Sequence, residues 1–139
     1  MQRTLALIKP DAYAAGRQDA ILERIHDSGL RPVATKKVHL TRAQAEIFYH
    51  VHVERSFFAD LVTFMSEGPV LAMVLEGDNA IARWRDLMGP TDAKKASPGT
   101  IRGDFGTNVE RNATHGSDGV ATAAFEVGFF FSGLELAGL

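Results

Sequence analysis

Val70-Leu71-Ala72-Met73-Val74-Leu75 is a continuous apolar run between the turn residues Gly68-Pro69 and Gly77-Asp78-Asn79. A short apolar run bounded by turn signals predicts a strand that is buried on both faces. A strand covered on both faces belongs in the interior of a sheet. We therefore expect residues 70–75 to form a central strand, with the rest of the chain arranged around it.

Shorter strand and helix patterns alternate on both sides of this run. Strands are expected at Thr4–Ile8, which Pro10 ends, and over 30–40, where polar and apolar residues mix. The order is roughly β-α-β-α-β-α-loop-β-α and predicts an α+β fold. Its two-helix, four-strand portion matches a split βαβ unit, an antiparallel sheet with helices on one face. Helical patterns are expected at 20–27, from the capping residue Thr41 to Tyr49, from Arg55 to Met65, at Ala80–Met88 and after Asp118.

The composition is that of an ordinary globular protein and excludes several classes. The chain has 139 residues, 45% apolar and 23% charged, which predicts a single domain over 1–139 with a peripheral tail at 132–139. The net charge of −2 argues against a general nucleic-acid binder. No apolar run is long enough for a signal peptide or a membrane span. The absence of cysteine fits a reducing compartment, so a cytoplasmic location is expected.

The segment Arg111–Gly119, RNATHGSDG, contains the strongest candidate for chemistry. His115 stands just before Asp118, a favoured helix N-cap type, so its ring is expected near a helix N-terminus, where backbone N–H groups favour an anion. A neutral imidazole is a good nucleophile toward phosphorus when a partner fixes its tautomer. The pattern indicates a nucleophilic histidine for a phosphoryl group. A structural histidine in a turn remains the alternative.

A long segment from Gly89 to Arg111 leads directly to this histidine. It is rich in Gly, Pro, Thr, Asp and Ser and shows little periodicity, so it is predicted to be a loop. Loops of this length in compact domains are usually functional or disordered. The segment contains polar side chains that suit an anionic ligand, namely Thr91, Lys94, Lys95, Arg102 and Asn108.

Three isolated features keep two interpretations each. Lys9 ends the first strand, where ligand groups often lie, but an isolated lysine beside a turn is more commonly solvated. The histidines at 50 and 52 could bind a metal on a strand, although no carboxylate or cysteine cluster supports this, so a solvated pair is favoured. Phe57 could be core or could stack against a nucleobase.

Taken together, several of these segments resemble nucleoside diphosphate kinases. The order and spacing agree over nearly the whole chain, up to about Phe131. The resemblance implies a ferredoxin-like βαββαβ subunit with a long loop near the active site. The matching motifs are Leu7-Ile8-Lys9-Pro10-Asp11, Arg55-Ser56-Phe57-Phe58, Ser66-Glu67-Gly68-Pro69-Val70, Gly99-Thr100-Ile101-Arg102-Gly103-Asp104-Phe105 and Asn112-Ala113-Thr114-His115-Gly116-Ser117-Asp118.

The resemblance also implies an activity and its catalytic residues. Such an enzyme moves the γ-phosphoryl group of a nucleoside triphosphate to a nucleoside diphosphate by a ping-pong mechanism. His115 would be the nucleophile and form a pros-phosphohistidine. Glu126 would bond the far imidazole nitrogen, supported by Ser117. Lys9 would reach the transferring phosphate, and Tyr49 would lie beside the histidine.

The nucleotide site follows from the same resemblance. Lys9 and Asn112 would hold the ribose hydroxyl. Phe57 and Val109 would sandwich the base, which implies low base selectivity, with ATP, GTP and others accepted. Cations collected in one cleft would explain how an acidic chain binds an acidic substrate. The residues implied to contact phosphate are Arg55, Arg85, Thr91 and Arg102.

The implied cofactor is Mg²⁺, and the implied assembly is a homo-oligomer. Phosphates and water can supply most Mg²⁺ ligands, and Asp118 is the one nearby acid that could add a water-mediated contact. Asp92-Ala93 replaces the Asn-Pro of most family members, and Gly119 stands where serine is usual. Because the loop over 90–98 lies near subunit contacts in family assemblies, hexamer, tetramer and dimer all stay open. The alternative function is a nucleotide-binding or scaffold protein on the same fold, without turnover.

Overall fold

The computed structural model describes residues 1–139. Its four strands form one antiparallel sheet in the order β2-β3-β1-β4. Short 3₁₀ turns occur at His50–His52 and Ala93–Lys95. The strands are β1 (Gln2–Ile8), β2 (Arg31–Val38), β3 (Val70–Gly77) and β4 (Thr114–Gly116). The helices are α1 (Pro10–Ala14), α2 (Gln18–Asp27), α3 (Arg42–Phe48), α4 (Phe58–Ser66), α5 (Ala80–Met88), α6 (Ile101–Phe105), α7 (Val120–Phe130) and α8 (Gly133–Leu136).

The apolar run over 70–75 lies in β3, between β2 and β1, so the prediction of a central strand is confirmed. The elements β1, α2, β2, β3, α5 and β4 form the βαββαβ unit, and the predicted α+β fold class is also confirmed. Strand β1 alternates between the two faces of the sheet, as its period of two requires. Leu5 and Leu7 pack in one buried cluster and Ala6 and Ile8 in the other.

The two helices of the βαββαβ unit share one face of the sheet. Ile21 of α2 and Trp84 of α5 pack there with Ala6 and Ile8. The added helices α3, α4 and α7 cover the opposite face, where Leu5 and Leu7 meet Phe48, Phe64 and Phe130. Both faces of the sheet are therefore covered, which explains why residues 5–8 of β1 and 70–75 of β3 are uniformly apolar.

Local signals place the boundaries of several elements close to the expected ones. Thr41 and Gln44 form a reciprocal capping box at the start of α3. Helix α5 runs over Ala80–Met88, as predicted, between Asn79 and Gly89. The edge strand β2 has a register shift between Pro32 and Ala34, because proline cannot donate to the ladder.

Two expectations about the chain between elements are corrected by the structure. The segment from Gly89 to Arg111 is not one loop, because it contains a 3₁₀ turn and helix α6. Helix α7 begins one residue later than predicted, because Gly119 rather than Asp118 is the N-cap. The Thr122 hydroxyl replaces the expected cap: it accepts from Gly119 N at 3.0 Å and donates to Asp118 Oδ1 at 2.6 Å.

The C-terminal residues are ordered against the sheet. Phe130 and Phe131 are buried in the core, and Phe129 packs against it, so these three side chains stabilise the fold from within. Residues beyond them form α8, and Lys36 bonds both Phe130 O and the Glu135 carboxylate. None of the helices is both long and apolar enough to cross a membrane.

Candidate active site

His115 lies in the middle of β4, paired with Leu7 of β1. Its ring packs edge-on against Phe48 and Tyr49, with centroids 5.4 Å and 6.1 Å away. Nε2 lies 2.8 Å from Glu126 Oε1, and Nδ1 has no hydrogen-bond partner in the protein. These contacts hold the ring in place, and its 18% exposure leaves it accessible to a substrate. The partner is Glu126 in the middle of α7, not the backbone N–H groups at its N-terminus.

Glu126 is itself fixed by Ser117. The Ser117 hydroxyl donates to Glu126 Oε1 at 2.8 Å, so one carboxylate oxygen accepts both bonds. Ser117 is fully buried, and Leu5 N donates to its oxygen at 3.3 Å. A charged acceptor on Nε2 favours the tautomer that carries its proton there, which leaves the Nδ1 lone pair free.

Gly116 and Trp84 hold the histidine from the other side. The Trp84 indole Nε1 donates to His115 O at 3.1 Å. A Cβ at position 116 would lie 2.5 Å from Trp84 Cδ1, so the indole occupies the space that any other residue would need. The glycine after the histidine is therefore required by the close approach of α5 to β4.

Lys9 and Asn112 form a buried pair beside this strand. Lys9 Nζ donates to Asn112 Oδ1 at 2.8 Å, and both residues are almost fully buried. Burial, with a contribution from the nearby Arg102 charge, lowers the pKa of Lys9 to about 8. The Lys9 ammonium is thus held next to an amide oxygen, without a carboxylate partner.

Asn112 also connects the long segment to β4. Its Nδ2 donates to Thr91 O at 2.9 Å and to Val109 O at 3.1 Å. One buried amide therefore links Lys9, the turn at Thr91 and the loop at Val109. The sequence indicated Asn112 only through the resemblance, because an isolated asparagine carries no pattern.

Arg102 is a buried cation held by backbone carbonyls. Its guanidinium donates to Gly89 O at 3.1 Å and to Thr114 O at 3.0 Å, while Nε is buried without a partner. Burial and the neighbouring Arg85 charge lower the pKa of Arg102 to about 10. The Tyr49 hydroxyl is also buried without a partner, and burial raises its pKa above the ordinary value, as does Glu126.

The remaining candidates lie on the surface. Arg55, Arg85 and Thr91 are exposed. Phe57 and Val109 are 45% and 59% exposed, and the Phe57 ring tilts against His52 with centroids 5.4 Å apart. None of the four candidate cations, Lys9, Arg55, Arg85 and Arg102, forms a salt bridge. Arg85 and Asp118 line the same cavity, of about 460 Å³, and Arg55 is not among its lining residues.

The protein offers no dedicated metal cage. No group of three or more histidine, cysteine, aspartate or glutamate side chains is arranged to hold an ion. His50 and His52 belong to no such group, and they lie on a 3₁₀ turn rather than on a strand. Asp118 is exposed, and its carboxylate accepts from Thr122. Any metal would have to take most of its ligands from the substrate and from water.

Sequence reasoning missed two residues that shape the site. Trp84 lies within the helix predicted over Ala80–Met88, and its indole also donates to the His115 backbone. Asp11 accepts from Ala113 N at 3.0 Å, and this contact crosses from α1 to the residue before β4. The sequence indicated Asp11 only as the last residue of the motif Leu7-Ile8-Lys9-Pro10-Asp11, which says nothing about a partner at 113.

Comparisons with known proteins agree with this fold and place the chain in the class of nucleotide phosphotransferases. The sequence model of the nucleoside diphosphate kinase family matches residues 2–136. The chain therefore belongs to the nucleoside diphosphate kinase family, and it is an enzyme that transfers phosphoryl groups between nucleotides.

Individual relatives cover nearly the whole chain. The nucleoside diphosphate kinase of Oleidesulfovibrio alaskensis is 57% identical over 99% of this chain and 99% of its own length. That of Syntrophotalea carbinolica is 57% identical over 98% and 99%. The crystal structure of the Aquifex aeolicus enzyme has a TM-score of 0.94 and 47% identity, covering 96% of this chain and 97% of that one. A Halobacterium salinarum nucleoside diphosphate kinase in complex with CDP has a TM-score of 0.93, 40% identity and coverage of 96% and 90%.

Proposed function

We propose that the chain moves the γ-phosphoryl group of a nucleoside triphosphate to a nucleoside diphosphate through a pros-phosphohistidine on His115. Nδ1 attacks the γ-phosphorus, the bond to the bridging oxygen breaks and the diphosphate leaves. A terminal phosphate oxygen of the second nucleotide then attacks the phosphorus, and the P–N bond breaks. The observation that carries the proposal is the 2.8 Å bond from Nε2 to Glu126, which leaves Nδ1 free to attack.

The charged residues are proposed to stabilise the transferring group. Negative charge spreads over the equatorial oxygens in the transition state, so positioned cations contribute most of the stabilisation. We assign this role to Lys9 and Arg102, which are buried and lack carboxylate partners. The Tyr49 ring would keep the imidazole in place. Arg55, Arg85 and Thr91 would contact the remaining phosphates.

The nucleoside would lie between the exposed side chains of Phe57 and Val109. Neither side chain can donate or accept a hydrogen bond, so the base would be held by stacking and apolar contact. Asn112 and Lys9 would hold the ribose hydroxyl. The substrates are therefore expected to include both ATP and GTP, with low selectivity among bases. The complex of the Halobacterium salinarum relative with CDP supports a nucleotide site in this fold.

Family members require a divalent metal, and we propose that this chain uses Mg²⁺. Bound to the nucleotide, the ion would neutralise phosphate charge. The absence of a carboxylate cage is compatible with Mg²⁺, which usually keeps several waters and binds through substrate phosphates. Asp118, with an exposed carboxylate three residues after His115, is our candidate for a water-mediated contact.

We further propose that the chain forms one domain over 1–139, with a peripheral tail at 132–139, and that it assembles as a homo-oligomer in the cytoplasm. The family match over residues 2–136 supports a single domain. Strand β2 leaves its outer edge unpaired within the chain, and such edges are commonly covered in proteins. Sedimentation at micromolar concentration would separate a hexamer, tetramer or dimer from a monomer, and only a monomer would contradict the assembly.

Labelling with γ-labelled ATP tests the proposed mechanism. The protein should acquire label that is acid-labile and base-stable, and the label should transfer to added nucleoside diphosphate. His115→Ala should lose label and turnover while keeping nucleotide binding, because a nucleophile contributes to chemistry rather than to ground-state binding. His50→Ala is the matched control and should label normally. Stoichiometric labelling of the His115→Ala variant at another histidine would contradict the assignment.

A further inference from the structure

Ala113 has a backbone conformation that alanine rarely adopts. Its φ is +73°, in the left-handed region, and its side chain is fully buried. A residue other than glycine is disfavoured there and persists only when its surroundings hold it. Thr114 N donates to Asn112 O at 2.9 Å across this residue, so Ala113 forms the tight turn that starts β4.

Both backbone polar groups of Ala113 are held by the start of α1. Ala113 N donates to Asp11 Oδ2 at 3.0 Å, and Lys9 N donates to Ala113 O at 2.8 Å. Without Asp11, a buried N–H group would lack a partner, which is costly in a protein interior. The other carboxylate oxygen, Oδ1, is buried and has no partner. The Asp11 side chain therefore makes one hydrogen bond, and its partner is the left-handed residue.

The turn at Ala113 separates two proposed functional side chains. Asn112 comes just before it and bonds Lys9, and His115 comes two residues after it and bonds Glu126. A change of φ at 113 would rotate one of these side chains relative to the other. The pairing of Leu7 with His115 in the sheet fixes the strand, and the turn at 113 adds the position of the Asn112–Lys9 pair relative to the His115 ring.

We propose that Asp11 is a positioning residue for phosphoryl transfer: by accepting from Ala113 N, its carboxylate fixes the left-handed turn that aligns His115 with Lys9. The inference rests on the proposed role of His115. Two simpler roles compete with it. In the first, Asp11 serves only as an acidic residue in the first turn of α1 and stabilises that helix. In the second, its negative charge acts on Lys9, whose pKa it raises.

The experiment is rapid-quench labelling of the full chain with γ-labelled ATP, measured as a function of ATP concentration. It compares Asp11→Ala, Asp11→Asn, Ala113→Gly and the double variant Asp11→Ala/Ala113→Gly. Asparagine keeps an acceptor for Ala113 N but removes the charge. Glycine adopts positive φ readily, so the turn depends less on the carboxylate to keep this φ, although the N–H of residue 113 still lacks its partner. Asp19→Ala is the matched control, because Asp19 is an exposed acid in the first turn of α2.

We expect Asp11→Ala to slow labelling at saturating ATP by about tenfold, as for other outer-shell orienting groups. The ATP concentration at half-saturation should change much less. Asp11→Asn should stay within about threefold of the parent, and Asp19→Ala should not differ from it beyond the scatter usual for unrelated sites. The double variant should label faster than Asp11→Ala, which a purely helix-stabilising role would not produce.

Three results would overturn the inference. The first is an Asp11→Ala rate within about twofold of the parent, the scatter expected of an uncoupled site. The second is a double variant no faster than Asp11→Ala. The third is an Asp11→Asn rate as low as that of Asp11→Ala, which would assign the effect to charge. If Asp11→Ala does not fold, Asp11→Ser, whose hydroxyl is too short to reach Ala113 N, replaces it with the same expectations. Labelling of the parent that survives in His115→Ala would instead contradict the proposed function itself.

Discussion

Glu126 Oε1 and His115 Nε2 lie 2.8 Å apart, although the two residues are 11 positions apart and belong to a helix and a strand. The same oxygen accepts the Ser117 hydroxyl, so the carboxylate cannot rotate without losing two bonds. This geometry fixes the imidazole ring through Nε2 and leaves Nδ1 without a hydrogen-bond partner.

Glu126→Ala should therefore slow formation of the phosphohistidine by roughly ten- to a hundredfold, by analogy with other groups that orient histidine. Nucleotide affinity should change little, because the carboxylate faces the ring and not the substrate. Pre-steady-state labelling separates the rate from the affinity. Glu23→Ala, at an exposed position of α2, is the control. An unchanged labelling rate would mean that other groups orient His115.

Lys9 should give the activity an alkaline limit. Its pKa is lowered to about 8, and the proposed phosphate contact needs the charged form. Because kcat/KM reports the free enzyme, it should fall as pH rises through about 8. Bound phosphate favours the ammonium, so kcat should fall only at higher pH. A pH profile of kcat/KM that stays flat to pH 10 would contradict the role of Lys9.

Lys9 should also make the stability of the fold depend on pH, with the opposite sign to activity: as pH rises, activity should fall and stability should rise. In the unfolded chain its pKa returns to about 10.5, so between about pH 8 and 10.5 the unfolded state binds more protons than the folded state. The contribution of Lys9 to the free energy of unfolding should therefore rise with pH across this window. Lys9→Met should remove that rise, and denaturant unfolding of both proteins at several pH values measures the difference. Equal pH slopes for the two proteins would mean that burial does not lower the pKa of Lys9.

The base slot should discriminate weakly. If Phe57 and Val109 contact the base only through their apolar side chains, purine and pyrimidine triphosphates should have similar kcat/KM values. Phe57→Ala should raise KM for all of them together. Steady-state kinetics with four triphosphates tests this. Selectivity on the order of 10⁴ for one base, as hydrogen-bond readout can produce, would refute a slot based on stacking.

Gly116→Ala should destabilise the fold. The new methyl would lie 2.5 Å from Trp84 Cδ1, so the indole or β4 must move. Overpacking of this kind costs about 1–3 kcal/mol. Gly128→Ala is the matched control, because Gly128 is exposed within α7 and its added methyl meets no atom within 4 Å. It should stabilise the helix by about 0.5–1 kcal/mol. Thermal unfolding measures both, and a melting temperature of Gly116→Ala equal to that of the parent would contradict the packing argument.

The sequence predicted the elements that have a clear period and clear ends. Helix α5 was placed correctly because Asn79 and Gly89 bound an apolar stripe. Helix α6 was missed because its five residues are too few to show a period, and Gly103 lies inside it. The sequence did contain an N-cap residue for this helix, Thr100, whose hydroxyl accepts from Gly103 N at 3.1 Å.

The geometry of the site was much less accessible from local patterns. His115 was found as a nucleophile candidate from its own segment, but its contact with Glu126 came only from the family resemblance. The bond between Asp11 and Ala113 spans 102 positions, and no spacing rule connects them. The cap at Asp118 was predicted wrongly because Thr122 bonds both the 118 side chain and the 119 backbone. Which side chain caps the N-terminus of α7 is decided by the three-dimensional arrangement and not by the local sequence.

The missing salt bridges of Lys9, Arg55, Arg85 and Arg102 have a kinetic consequence. None of the four has a carboxylate within 4.0 Å, whereas Arg3, Arg24, Arg31 and Arg111 are each paired with a carboxylate. The field of the unpaired cations extends into solvent over about a Debye length, roughly 8–10 Å at physiological salt. A chain of net charge −2 can thus attract triphosphates to these cations while its excess of acidic side chains repels them elsewhere. Diffusional capture of nucleotide should slow steeply with ionic strength, while the lifetime of the bound complex responds far less.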